Sequence, residues 1–110
     1  MYQDYSTGSG AIARTLDPSA TAMQGFWKIP QVDLHLDAVG GAGAFTLTVD
    51  SAKGSEYDVL VFSQDMTAVA DAVWIPERPF ILGPGDSLVA AWANVNGKTY
   101  GLRMLWDSNR

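Results

Sequence analysis

The feature that most constrains the fold of this chain is the alternation of apolar and polar residues at a period of two. It is clearest over residues 32–37, where Val, Leu and Leu alternate with Asp, His and Asp, and over residues 45–49, where Thr separates Phe, Leu and Val. This period predicts half-buried β-strands. Turn-forming sequences such as residues 40–43 and 83–86 separate the runs. Short strands with turns about every 8 to 12 residues predict an all-β fold, an antiparallel β-sandwich of the jelly-roll type.

Two local features refine this prediction. Asn96-Gly97 favours a type I′ turn, so we expect a β-hairpin between the strand that starts near Leu88 and the strand that starts near Tyr100. Apolar residues between Met66 and Val73 are spaced as on a helix, which is compatible with one or two helical turns.

Residues 1–20 differ from the rest of the chain, because their few apolar residues follow no period and small polar residues surround them. They predict an extended N-terminal arm in front of a single β-sandwich domain over residues 21–110. One interpretation of the arm is a terminus without order. The other, which we expect, is a segment that crosses onto a neighbouring subunit and is anchored there by Tyr2, Tyr5, Ile12 and Leu16.

Two of the expected strands carry apolar residues on both faces, whereas an antiparallel sandwich normally exposes a polar outer face to water. The second face of these strands holds Leu60, Phe62, Val89, Ala91, Ala93 and Val95. Either residues 63–75 cover this face within the monomer, or another copy of the chain or its arm covers it. We expect the second arrangement, and therefore a homo-oligomer.

The charge of the chain argues against nucleic acid as a partner. Its 7 basic and 12 acidic residues give a net charge of −5, and the basic residues are spread along the whole sequence. Such a surface repels a phosphate backbone. No run of about 20 apolar residues could cross a membrane, and no secretory signal is visible. The chain has no cysteine, so neither disulfides nor thiolate chemistry are expected.

His35, the single histidine, is the residue that a Ser–His–acid triad would need, and it lies at the centre of a candidate metal-binding pattern. Asp33 and Asp37 flank it at alternate positions, so all three side chains project from one face of a strand. Carboxylate and imidazole groups can bind a metal. Neighbours along one strand are too far apart to share an ion easily, however, and a solvated, charged outer face is the simpler interpretation. With no second histidine and no Gly-x-Ser-x-Gly motif, we expect no enzyme, no metal site and no cofactor.

The four tryptophans offer a further kind of site, since aromatic side chains bind sugars by stacking on them. Trp92 and Trp106 share strand faces with apolar neighbours, so we expect them in the core. Trp27 and Trp74 are less constrained, and a carbohydrate-binding module that uses them is an alternative.

A pattern of turn and core residues runs through residues 57–102. It consists of Tyr57-Asp58-Val59-Leu60, Asp65-Met66, Val73-Trp74-Ile75-Pro76, Pro79, Gly85-Asp86-Ser87-Leu88, Ala91-Trp92-Ala93-Asn94 and Thr99-Tyr100-Gly101-Leu102. This pattern resembles small structural proteins of tailed bacteriophages. It covers under half of the chain and includes no catalytic residues.

The resemblance implies a virion protein that is present in the host cytoplasm during assembly. It implies first a cement (decoration) protein bound to the major capsid protein of the phage head. A trimer is favoured, because cement proteins often occupy three-fold positions. A tail, baseplate or fibre component is the alternative that the resemblance implies next.

Overall fold

The structure is a computed structural model and describes residues 2–18 and 25–108. Its elements are β1 (Tyr2–Gly8), β2 (Ile12–Leu16), β3 (Trp27–Leu36), β4 (Ala44–Asp50), a 3-10 turn (Ser55–Tyr57), β5 (Val59–Asp65), β6 (Asp71–Trp74), β7 (Ile81–Leu82), β8 (Ser87–Trp92) and β9 (Tyr100–Ser108). The strands form two antiparallel sheets. Sheet A has the order β1-β9-β3-β6, with β7 also paired to β3, and sheet B has the order β2-β8-β4-β5.

The path of the chain between the sheets defines the fold. The chain changes sheet at most connections, and β4 and β5 are the consecutive strands that stay together in sheet B. Strands β6 and β7 both pair with β3 and act as two parts of one strand, which residues 75–80 interrupt. This interruption contains Pro76 and Pro79, which have no N–H to donate to a neighbouring strand. Two four-stranded sheets connected in this way are a jelly roll, so the predicted all-β sandwich is confirmed.

The core lies between the two sheets and follows the alternation of the sequence. The apolar members of the alternating runs, such as Leu34 on β3 and Leu47 on β4, are buried in one cluster. Removing each such side chain from water contributes about 1.5–3 kcal/mol. The inward faces of both sheets therefore hold the sandwich together.

The N-terminal strands belong to this sandwich, which corrects the prediction of a separate extended arm over residues 1–20. β1 pairs with β9 along its whole length, and β2 pairs with β8. Ile12 and Leu16 are only 3% and 5% exposed. They pack in the core of their own chain and are not free to anchor it on a neighbour. The sandwich thus begins well before residue 21.

A charged pair explains why the sequence pattern does not reveal β1 and β2. Both are edge strands, one in each sheet. The Arg14 side chain donates two hydrogen bonds to Asp4, from Nε to Oδ2 at 2.9 Å and from Nη2 to Oδ1 at 2.7 Å. These bonds and the charge of Asp4 raise the pKa of Arg14 above its ordinary value. Asp4 and Arg14 occupy positions at which the inner strands carry apolar residues. Because a charged pair replaces apolar side chains there, β1 and β2 lose the period of two.

The connection from β8 to β9 is not the predicted hairpin, because the two strands lie in different sheets. Residues 93–99 cross from sheet B to sheet A around the buried Asn94, whose φ is 51°. Its Nδ2 donates to the carbonyl oxygens of Gly10 and Lys98, each at 2.9 Å, and its Oδ1 accepts from the N–H of Lys98. Gly97 has the positive φ expected of an Asn-Gly turn, but this turn joins two layers.

The segment after β5 is a loop, so the helical turns considered between Met66 and Val73 do not form. Ala68 has a φ of 59°, which is incompatible with a right-handed helix. The N–H of Gly40 donates to the carbonyl of Val69 at 2.9 Å. This contact ties the loop to the connection between β3 and β4, and β6 follows in sheet A.

The burial of β2 predicts that the N-terminal strands are needed for folding. Replacing Ile12→Ala leaves a cavity in the core and should lower the free energy of unfolding by about 2–5 kcal/mol. The exposed residue on the same strand provides the control, since Thr15→Ala should change it by no more than about 0.5 kcal/mol. Chemical denaturation measures both variants. Equal stability of the two would show that β2 does not pack on the body.

Candidate partner-binding surface

The outer face of sheet B is formed by two rows of small uncharged residues. The cross-strand register aligns Ala13, Ala91, Thr46 and Ser63 in one row and Thr15, Val89, Thr48 and Leu60 in the next. We call these eight residues the neutral face. None of them carries a charge.

The local sequence explains how this face arises. On β8, Leu88, Ala90 and Trp92 are buried, so Val89 and Ala91 must point outward. On β4 the outward positions are threonines, and Thr46 Oγ1 lies 3.4 Å from the carbonyl oxygen of Ala91, to which it donates. A hydroxyl that is satisfied within its own sheet does not require water, so this face can be covered by another protein at low cost.

The neutral face ends at β5, whose described pairing is with β4 alone. An edge strand of this kind presents unpaired backbone N–H and C=O groups. Three apolar side chains at its beginning are exposed: Tyr57 by 59%, Val59 by 52% and Leu60 by 58%. Leu60 belongs to the neutral face, and we call the other two residues, Tyr57 and Val59, the β5 edge. The β5 edge lies beside the neutral face at the rim of sheet B, with the exposed Asp58 between its two members.

A β-bulge determines which way the side chains of β5 point. Thr48 is aligned with Leu60 and Leu47 with Phe62, so Val61 is an extra residue between the two pairs. Leu60 therefore points outward with Thr48, whereas Phe62 points inward. The Phe62 ring packs edge-on against Phe45, with ring centroids 6.3 Å apart. The prediction that Phe62 shares an outer face with Leu60 is wrong for this reason.

A hydrogen bond fixes the end of β5. Asp65 Oδ1 accepts the backbone N–H of Thr67 at 3.0 Å. The backbone and side-chain hydrogen bonds of Thr67 lower the pKa of Asp65 below its ordinary value. The carboxylate is thus charged at neutral pH and marks the boundary of the neutral face.

The structure brings together only some of the residues predicted to form an interface. Leu60, Val89 and Ala91 lie side by side on the outside of sheet B. The exposed Ala93 and Val95 follow β8 in the loop at one end of the sandwich. The other predicted residues lie elsewhere, in the core or on sheet A: Tyr2, Tyr5, Ile12, Leu16 and Phe62.

The segment over residues 63–75 does not cover the neutral face. It leaves sheet B after Asp65 and enters sheet A as β6. The arrangement in which this segment covers the face within the monomer is therefore excluded. The remaining members of the neutral face, Ala13, Thr15, Thr46, Thr48 and Ser63, were missed from the sequence. No local signal in the sequence could have found them, because the two rows form only once the register of the four strands is known.

The outer face of sheet A has the opposite character. Asp33 accepts hydrogen bonds from the Arg103 guanidinium and, at 2.6 Å, from Gln31. The hydrogen bonds and charge of Asp33 raise the pKa of Arg103 above its ordinary value. The exposed His35 forms a hydrogen bond through its Nδ1 with Asp71 Oδ1 on the adjacent strand β6, at 2.5 Å. The polar side chains on this part of the sheet are thus paired with one another.

The Asp-x-His-x-Asp pattern does not converge on one point. Asp33 and His35 have the separate partners described above, and Asp37 lies beyond the end of β3, where its Oδ1 accepts the N–H of Thr99 at 3.1 Å. Within residues 2–18 and 25–108, no group of three or more His, Cys, Asp or Glu side chains is arranged to hold a metal ion.

The tryptophans mostly serve the core. Trp92 and Trp106 are buried, as expected, and Trp27 is buried too, with its ring edge-on to Trp106 at 5.2 Å. Trp27 therefore has no ring face open to a sugar. Trp74 is half-buried and packs edge-on against Phe80 at 5.2 Å.

Comparison with known proteins adds little to this description. No protein-family model matches the chain, and no curated protein matches it. Among solved structures, the chain is similar to one in the cryo-EM structure of a virus-like particle of the giant freshwater prawn Macrobrachium rosenbergii extra small virus. The identity is 13%, over 99% of this chain and 80% of that chain, with a TM-score of 0.31. A TM-score this low supports no statement about fold or function.

In the part of the chain that the structure describes, no helix is both long enough and apolar enough to cross a bilayer.

The bulge in β5 predicts that the same substitution has very different effects on stability at Phe62 and at Leu60. Phe62→Asp places a carboxylate against Phe45 between the sheets and should lower the free energy of unfolding by about 3 kcal/mol. Leu60→Asp places the same group in solvent and should change it by no more than about 0.5 kcal/mol. Chemical denaturation at concentrations where the chain is monomeric measures both. If Leu60→Asp were the more damaging change, the assigned register of β5 would be incorrect.

Proposed function

We propose that this protein is a non-enzymatic virion structural protein that binds its neighbours through the neutral face and the β5 edge. The observation that carries the proposal is the neutral face of sheet B, whose eight aligned outward positions hold only Ala, Thr, Ser, Val and Leu. The centres of protein interfaces are depleted in charged residues. An exposed sheet face of this composition therefore suits contact with protein better than contact with water.

Analogy with other proteins of the same fold narrows the class to which we assign this protein. Jelly rolls of two four-stranded sheets occur in viral capsid proteins, lectins and cupins. Cupin chemistry uses groups inside the sandwich, whereas the buried cluster here is composed of apolar side chains such as Leu34, Leu47 and Met104. An assembly role needs only the outer surface, which is where the distinctive chemistry of this chain lies.

The resemblance to phage structural proteins supports a narrower version of the same proposal. The residues that carry it include the β5 edge and Ala91 of the neutral face. On this basis we place the protein on the head of a tailed bacteriophage, as a cement protein bound to the major capsid protein. A position in the tail is the main competing outcome, and a reconstruction of the purified particle distinguishes the two by where the chain is found.

A ring of three copies is the assembly that we propose. The neutral face and the β5 edge are different surfaces of the same sheet, so the edge of one copy can pack on the face of the next. Contacts between two different surfaces close into rings when the rotation permits. The phage resemblance favours three copies, and each copy then uses both surfaces once.

A pair of matched substitutions tests the assembly. Val89→Lys places a charge at the centre of the neutral face and should convert the oligomer to monomers, because an unpaired charge is costly in an interface. The control is Val73→Lys, since Val73 is an exposed, outward-facing valine on β6 of sheet A. It should leave the oligomer intact.

Sedimentation velocity at micromolar concentration, with circular dichroism to confirm the fold, measures both variants. An unaltered protein that sediments as a monomer, both alone and with the capsid protein, would contradict the proposal. So would dissociation caused by Val73→Lys and not by Val89→Lys.

A further inference from the structure

The outer face of sheet A contains a depression of about 380 Å³ that the assembly role does not use. Its floor is Gly101 on β9. The register places Gly101 between Thr7 on β1 and His35 on β3. Because glycine has no side chain, the row of outward side chains is interrupted at its centre. A Cβ atom added at Gly101 would meet nothing within 4 Å, so the space above it is open.

The next row along the sheet forms one wall of this depression. It consists of Tyr5, Arg103 and Asp33, which are aligned across β1, β9 and β3. Tyr5 is 65% exposed, although its hydroxyl donates to Gln3. Its ring is the large apolar surface at the edge of the depression.

The pairing of the polar groups around the depression favours an uncharged ligand. The Arg103 guanidinium donates to Asp33, with Nε 2.8 Å from Oδ2, and His35 is paired with Asp71. The guanidinium already has a carboxylate partner, so an ionic ligand would have to compete with an existing ion pair. The same groups offer N–H donors and carboxylate acceptors side by side. A ligand whose groups both donate and accept hydrogen bonds suits this arrangement best.

The size and shape of the depression limit the ligand further. Small-molecule sites usually measure about 300–1,000 Å³ and combine apolar surface with a few polar groups. The volume here is at the lower end, and the depression is open to solvent on one side. The surrounding residues stand on three paired strands, so their backbone positions are set before a ligand arrives, which reduces the backbone entropy lost on binding.

From these observations we infer that the depression over Gly101 binds a neutral pyranose, either free or at the end of a glycan. The apolar face of the sugar lies against the Tyr5 ring, and its hydroxyls hydrogen-bond to the Arg103–Asp33 pair and to His35. This site is on the sheet opposite the neutral face. It neither depends on the proposed assembly nor interferes with it.

A substitution that fills the depression tests the inference. Gly101→Val places a side chain in the open space. The φ of residue 101 is outside the left-handed region that favours glycine, so valine causes no backbone strain there. Valine is also favoured over glycine in strands, so the fold should be retained. We expect binding to weaken by about tenfold or more, equivalent to about 1.4 kcal/mol. The matched control is Ala44→Val, which enlarges an exposed side chain on β4 of sheet B, outside the neutral face, and should leave sugar binding unchanged.

The binding measurement is a set of NMR titrations of the full chain with methyl glycosides of neutral hexoses, neutral oligosaccharides, sialic acid and inorganic phosphate. The expected result is that a neutral sugar shifts the backbone amide signals of Thr7, His35 and Gly101, and that Gly101→Val removes the effect. Methyl glycosides that bind as well as oligosaccharides identify a single sugar as sufficient. Binding by oligosaccharides alone identifies the end of a glycan.

Three results would overturn the inference, two of them in the titrations of the unaltered chain and one in the variant. One is that no neutral sugar shifts these three signals. The other is that sialic acid or phosphate shifts them more strongly than any neutral sugar does. A folded Gly101→Val variant that binds as tightly as the unaltered chain would show that the sugar sits elsewhere.

Discussion

The packing of two sheets through one shared apolar layer is the interaction on which the rest of this structure depends. Because the chain changes sheet at most connections, strands that follow each other contribute to opposite sides of this layer. Leu34 on β3 and Leu47 on β4 are an example. Neither sheet can bury its apolar face without the other. Secondary contacts then close the sandwich, such as the Asp4–Arg14 pair between the two N-terminal edge strands and the hydrogen bonds of Asn94 at one end.

Because inward-facing side chains alone form the core, the outward positions can vary without affecting it. The outer faces of the two sheets differ strongly in charge. Sheet A carries the Asp33–Arg103 ion pair and the hydrogen bond between His35 and Asp71 on its outer face. On sheet B, the two aligned rows that hold Val89 and Ala91 carry no charge. The outer face of sheet A is thus the more polar of the two. This asymmetry suits a protein that presents one sheet to a protein partner and the other to solvent and small ligands.

The sequence predicts the parts of this structure that depend on a period of two. The strands around Leu34 and Leu47, the core that they build and the jelly-roll class all follow from alternation. The period of two cannot reveal β1 and β2, because an edge strand can carry a charged pair such as Asp4–Arg14 in place of apolar residues. It also fails at β5, where one extra residue, Val61, reverses the direction of the side chains that follow.

The candidate sites are harder to predict, because both arise from alignment across strands that are distant in the sequence. Leu60, Thr48, Val89 and Thr15 form one row only once the register of four strands is known. The depression over Gly101 likewise depends on side chains from β1, β3 and β9. No local pattern in the sequence identifies a glycine as the floor of a site, or a threonine as part of an interface.

The most direct test of the account is hydrogen–deuterium exchange of the chain, free at low concentration and within its assembly. Amides of β5 should exchange more slowly in the assembly, because a neighbouring copy covers that edge, whereas amides of the sheet A edge strands β1 and β6 should exchange at the same rate in both states. Protection of β1 or β6 with no change at β5 would contradict the assignment of sheet B as the side that meets other proteins.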